Sequence, residues 1–159
     1  MATWAEFERC EPTMAALGRK LLAKYQLAYL ATAAEDGSPR VHPVCPVIAG
    51  GRLFVGTAPT SPKRFDLLRD GPYAMHLLPG ENDAEFYFTG RARRIEDPDV
   101  RASVVETARQ TPVMPDGTGL QIKPEEWLFE YDIAYVMTAY WEHVGTPQIR
   151  VTRQTWRSS

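Results

Sequence analysis

The stretch Thr57-Ala-Pro-Thr-Ser61-Pro62-Lys63-Arg64 holds residue types suited to binding an anion. A strand ends there and a helix opens, with Ser61 as N-cap and Pro62 in the first helical position. A helix start offers unpaired backbone N–H groups and a partial positive charge. Lys63 adds a point charge, and the hydroxyls of Thr57 and Ser61 add donors. A capped first turn with a solvated lysine explains the same residues, so this stretch alone does not define a site.

A second stretch, Arg40-Val41-His42-Pro43-Val44-Cys45-Pro46, puts two prolines inside strand-like sequence. Each proline removes a donor from a sheet ladder. Their odd spacing places the missing donors on opposite edges, and the partner groups left free suit a planar ring with hydrogen-bonding edges. An irregular edge strand is the plainer alternative. His42, His76 and His143 stand singly, and Cys10 and Cys45 show no metal spacing, so no metal site is expected.

The elements that must position these residues follow from periodicity. Residues 1–25 read as a helix, with Leu17, Leu21, Leu22 and Tyr25 on one stripe and Pro12 in its first turn. From Leu27 the pattern is that of strands, reversing at Asp36-Gly37 and again at Gly50-Gly51, with the middle strand running from Arg40 to Ile48. The short helix that opens at Pro62 is expected to turn Phe65 and Leu68 inward. Strands follow at 73–78 and 85–94. In the second, Phe86, Phe88 and Ala92 share one face, and Glu85, Tyr87, Arg91 and Arg93 the other. Asp97-Pro98 opens a helix with Val100, Val104 and Ala108 inward. Residues 110–120 read as a mobile loop bordering a pocket, and strands near 127–141 and 148–156 close the chain. The sum is six or seven antiparallel strands curled into a small barrel, with three helices outside.

The bulk numbers agree with one domain, 1–159, comprising the helix 1–25 and a barrel over 27–157. Hydrophobic residues make up 44% and charged residues 24%, and the net charge is −2, so neither nucleic acid nor an anionic membrane is an expected partner. The polar, acidic start and the lack of a long apolar run point to a cytoplasmic protein.

In order and spacing, Asp36-Gly-Ser-Pro-Arg40-Val-His-Pro-Val44, Leu53-Phe-Val-Gly56-Thr57, Ser61-Pro-Lys63 and Glu85-Phe-Tyr-Phe-Thr-Gly-Arg-Ala92 resemble the pyridoxamine 5′-phosphate oxidase-like, FMN-binding split-barrel superfamily. The likeness is good from Leu27 to Asp97 and loose over the C-terminal third. It implies a mainly β antiparallel split barrel with flanking helices, assembled as a homodimer with FMN at the interface. Carried over, Arg40, Val41, His42, Pro43 and Val44 would line the flavin. Gly56 and Thr57 would contact the ribityl chain and phosphate, and Ser61 and Lys63 would grip the phosphate. Glu85 would reach the flavin of the partner, and Trp141 would form another wall.

The chain does not resemble an oxidase proper. The family's second strand lysine is Cys45 here, and the closing Arg-x-His motif is missing, with Arg150, Arg153 and Trp156 in that region. The activity implied is therefore an FMN-dependent oxidoreductase acting on an unidentified small molecule. The same likeness admits a reductase using F420, or a non-catalytic flavin- or haem-binding module with His42 or His76 as axial ligand. An apolar sheet face carrying Phe86, Phe88, Trp127, Phe129 and Tyr131 is expected to bury itself against the second copy.

Overall fold

A computed structural model describes residues 1–69, 71–113 and 117–159. The N-terminal helix is two helices, α1 (Trp4–Cys10) and α2 (Pro12–Tyr25). Thr3 and Glu6 form a reciprocal cap on α1, and the chain breaks at Glu11 (φ −133°, ψ 67°). Pro12 does sit in a first turn, but of the second helix, because its missing N–H suits a start. Gln26, in the left-handed conformation at φ 51°, ends α2.

Eight strands follow: β1 (Ala28–Ala33), β2 (Pro39–Val44), β3 (Val47–Ala49), β4 (Arg52–Thr57), β5 (Pro72–Leu77), β6 (Glu85–Ile95), β7 (Trp127–Glu142) and β8 (Arg150–Arg157). Helix α3 (Lys63–Arg69) lies between β4 and β5, and α4 (Pro98–Arg109) between β6 and β7. The described chain thus carries one strand and one α-helix more than expected. The extra strand arises because the run from Arg40 to Ile48 breaks at Cys45-Pro46. Its first half pairs with β1 and its second half with β4.

All pairings between the strands are antiparallel, in the order β2-β1-β5-β6-β7-β4-β3, with β8 added to β7. The terminal strands β2 and β3 are joined through the chain yet not paired, which leaves the barrel split. The sixteen-residue β7 spans both halves: Trp127–Glu130 pair with β4, and Tyr135–Glu142 with β8.

The main core fills the inside of this sheet. Phe86 and Phe88 of β6 and Phe129 and Tyr131 of β7 are buried there, together with Trp4 and Phe7 of α1. This corrects the expectation that these rings face a second copy: at 0–1% exposure they are already used by their own chain. Gly18 shows how closely α2 seats, since a Cβ there would lie 2.8 Å from both the Trp4 and Phe86 rings. A smaller core joins Val104 and Ala108 of α4 to Val47, Phe54, Ile122 and Leu128.

One charge is buried among these strands. The Glu130 carboxylate, 1% exposed, is gripped by Arg52, with Nε at 2.6 Å, and by Arg93 Nη2 at 2.7 Å. No helix among the described residues is long and apolar enough to cross a membrane.

Candidate functional site

Helix α3 begins at Lys63, slightly later than Ser61-Pro62 suggests, and is only seven residues long. Its buried residues are Lys63, Asp66 and Leu67, whereas Phe65 and Leu68 are 52% and 48% exposed. The expected apolar stripe is therefore turned outward. Polar groups of the barrel account for the reversal. Asp66 accepts from Thr32 Oγ1 of β1 (2.9 Å), from Arg40 Nη1 of β2 (2.9 Å to each oxygen) and from Arg69 Nη2 (3.3 Å). A carboxylate serving three donors fixes which side of the helix faces in. The side chain of Arg64 lies over the Trp127 ring at 4.8 Å and that of Arg94 at 4.1 Å, tying the start of α3 to the start of β7.

Lys63 is 9% exposed, and its Nζ donates to Ser61 Oγ (3.1 Å). Among the described residues it has no acid within ion-pair distance. Burial pulls its ammonium below the usual lysine range, and the nearby charge of Glu126 works against that shift. Lys63 opens onto a cavity of about 190 Å³ lined also by Pro43, Val44, Cys45, Gly56, Leu120, Gln121, Ile122 and Glu126. The structure thus brings Pro43, Val44, Gly56 and Lys63 together, with Ser61 behind the lysine.

The other expected site residues are placed elsewhere. Arg40 is engaged by Asp66. Strand alternation puts Arg40, His42 and Val44 on one face of β2 and Val41 and Pro43 on the other. Among the described residues His42 Nδ1 is buried without a hydrogen-bond partner, and so is Thr57 Oγ1, although Thr57 and Gly56, being consecutive on β4, address opposite sides. Glu85 on β6 and Trp141 on β7 do not join the cavity. β6 lies three strands from β2, roughly 14 Å at ordinary strand spacing. Leu120 of the expected loop does line the cavity, while its residues 114–116 lie outside the described part of the chain.

Val41 and Pro43 belong to the outer sheet face. One row across six strands reads Pro43, Tyr29, His76, Tyr87, Met137, Thr155, and the next reads Val41, Ala31, Ala74, Thr89, Tyr135, Arg157. Neither row contains an acid. Val41 is 61% and Tyr29 48% exposed. Pro43 therefore belongs both to this face and to the cavity.

The family model of pyridoxamine 5′-phosphate oxidase matches residues 15–131, well over half of the chain. The chain belongs to the pyridoxamine 5′-phosphate oxidase-like family. Solved structures of similar fold include a conserved hypothetical protein from Mycobacterium tuberculosis (19% identity, TM-score 0.67, 86% of this chain and 91% of that one). A heme binding protein from Mycobacterium smegmatis is also similar (18%, 0.62), covering 91% of this chain but 58% of its own. A third is a protein related to general stress protein 26, of the pyridoxinephosphate oxidase family, from Clostridium acetobutylicum (11%, 0.66, 92% and 95%). At these identities the likenesses establish the split-barrel fold alone. A search of the curated proteins found no match.

Within this family fold, two residues that sequence reasoning passed over matter. Asp66 organises Arg40 and the start of α3; its place three residues after Lys63, on the same helix face, was the available signal. Glu126 stands over Gly56: a Cβ built there would lie 2.7 Å from Glu126 Oε2. Its signal was weaker, a carboxylate one residue before the strand that pairs Trp127 with Thr57.

Proposed function

We propose that this chain is an FMN-dependent oxidoreductase acting on a small molecule, with the flavin phosphate at the Lys63 cavity and the ring at a seam between two copies. The observation that carries this reading is the nearly buried Lys63 ammonium, bonded to a hydroxyl and not to an acid. A buried cation is costly unless an anion joins it. The cavity is smaller than the roughly 300–1,000 Å³ of sites that enclose a whole ligand. It suits a phosphate and the adjoining chain, and leaves the ring to be covered from elsewhere. Pro43 leads from the cavity onto the outer face, whose two nearest rows carry no acid and where a second copy would supply that cover. The remoteness of Glu85 from β2 accords with a role toward the partner's flavin.

The residues fit the phosphate in part. Lys63 and Ser61 supply donors, while Arg40 is occupied by Asp66 and the family's further lysine is Cys45. FMN, when bound, supplies the redox chemistry, and the residues here bind and orient it. A second reading, a haem-binding module, is favoured by one feature, the buried and unpartnered Nδ1 of His42.

The test is Lys63→Ala. Charge-assisted bonds contribute roughly 1.5–3 kcal/mol each, so FMN binding should weaken by about one to two orders of magnitude. Riboflavin, lacking the phosphate, should change little. Equal losses for both ligands, or none for FMN, overturn the assignment. The visible spectrum of the purified protein separates flavin, F420 and haem.

A further inference from the structure

Glu126 points at the same cavity as Lys63 with an opposite charge. Its position is set by a clamp: Arg101 of α4 donates from Nη1 to the Glu126 carbonyl (2.9 Å) and from Nη2 to the carbonyls of Lys123 (2.7 Å) and Pro124 (3.2 Å). The Glu126 N–H donates to the Lys123 carbonyl (3.1 Å), closing the turn. The side chain is thereby directed over Gly56, where only the missing Cβ leaves room for it. Its carboxylate accepts no hydrogen bond from a described residue.

We propose that Glu126 is a specificity-determining residue: an internal anion that opposes the ligand's phosphate at Lys63, making a phosphorylated ligand exchangeable instead of permanently held. This rests on the reading that the phosphate binds at Lys63. The carboxylate and the ammonium that line the cavity are opposite in formal charge and offset each other. A phosphate entering the cavity gains Lys63 and meets Glu126. A ligand presenting only hydroxyls meets a carboxylate that can accept from them. The site therefore discriminates less between phosphorylated and unphosphorylated forms of one ligand than Lys63 alone would.

Dissociation constants of FMN and riboflavin, read by flavin fluorescence, test this in the full-length wild type and in Glu126→Gln, Glu126→Asp and Lys63→Ala. Removing a unit charge from the cavity wall that faces the phosphate, in a medium between protein surface and water, should tighten FMN about tenfold. Riboflavin should change less than about twofold. Glu126→Asp keeps the charge but withdraws it by one methylene, so it should fall between, and thermal melts confirm that each variant folds. Unchanged FMN affinity in Glu126→Gln, or a loss, overturns the inference while a selective loss in Lys63→Ala keeps the phosphate at Lys63. If Lys63→Ala alters neither ligand, the underlying reading fails and the inference falls with it.

Discussion

Replacing Asp66 tests whether one buried carboxylate sets the pose of α3. In Asp66→Ala the Thr32 hydroxyl, 6% exposed, loses its acceptor, which costs about 1–3 kcal/mol. Arg40 and Arg69 lose a charged partner, but their side chains are 36% and 40% exposed and can rehydrate, so their share is discounted to about 1 kcal/mol. The sum is about 3 kcal/mol. For a chain of this size that lowers Tm by roughly 6–12 °C. Asp66→Asn keeps an acceptor for Thr32 but loses the charge and turns the oxygen that accepts from Arg69 into a donor, so it should fall between wild type and Asp66→Ala. Urea and thermal unfolding of protein without bound ligand measure both. A loss below about 1 kcal/mol in Asp66→Ala would refute the argument that the carboxylate, and not apolar packing, decides which face of α3 is buried.

Further outcomes are expected. Burial raises the Glu130 pKa, but the Arg52 bond and the Arg93 charge outweigh it, and the carboxyl ends below its ordinary range. A depressed folded pKa gives stability that is present above the unfolded value of about 4.3 and lost as pH falls through the folded one. Glu130→Gln should therefore be less stable near neutrality and flatter in its acid limb, as pH-dependent urea melts would show; an unaltered acid limb contradicts this. Val41→Arg puts a charge on a residue already 61% exposed in a single chain. It should leave the fold intact yet convert a two-fold dimer to monomer by light scattering and weaken FMN binding. A dimer that persists with unchanged affinity would place the seam elsewhere.

Much of the architecture was legible from periodicity. The alternation of Phe86 and Phe88, the Asp97-Pro98 helix start and the long final strand pair all rest on local rules, and they hold in the structure. What local patterns could not reveal is what each face meets. Phe65 and Leu68 look like a core stripe, yet the side of α3 that turns inward is chosen by Thr32 and Arg40, more than twenty residues earlier. Likewise Phe129 and Tyr131 are apolar whether they meet their own helices or a second copy; Trp4 and Phe7 decide the matter. Pro43 and Pro46 were legible as a disturbance of a strand but not as a change of pairing partner. Of the candidate site, the cation and its neighbouring hydroxyl could be read from the chain. The opposing Glu126 could not, because a turn held by Arg101 delivers it and no motif contains it.

The backbone of Ala2 bonds in both directions with Ile133, at 2.8 and 2.7 Å, and the Ala5 N–H reaches the Gly51 carbonyl. The first helix is thus pinned by a strand made much later in the chain, after β1–β6 and α4. Trp4 and Phe7 have no finished pocket until Phe86 and then Trp156 have left the ribosome, Trp156 lying 5.2 Å from Phe7 between ring centres. Until those residues emerge the two rings are exposed apolar surface. A nascent chain stalled before β7 should be a chaperone client and a protease substrate, and emergence of β7 and β8 should end both liabilities together.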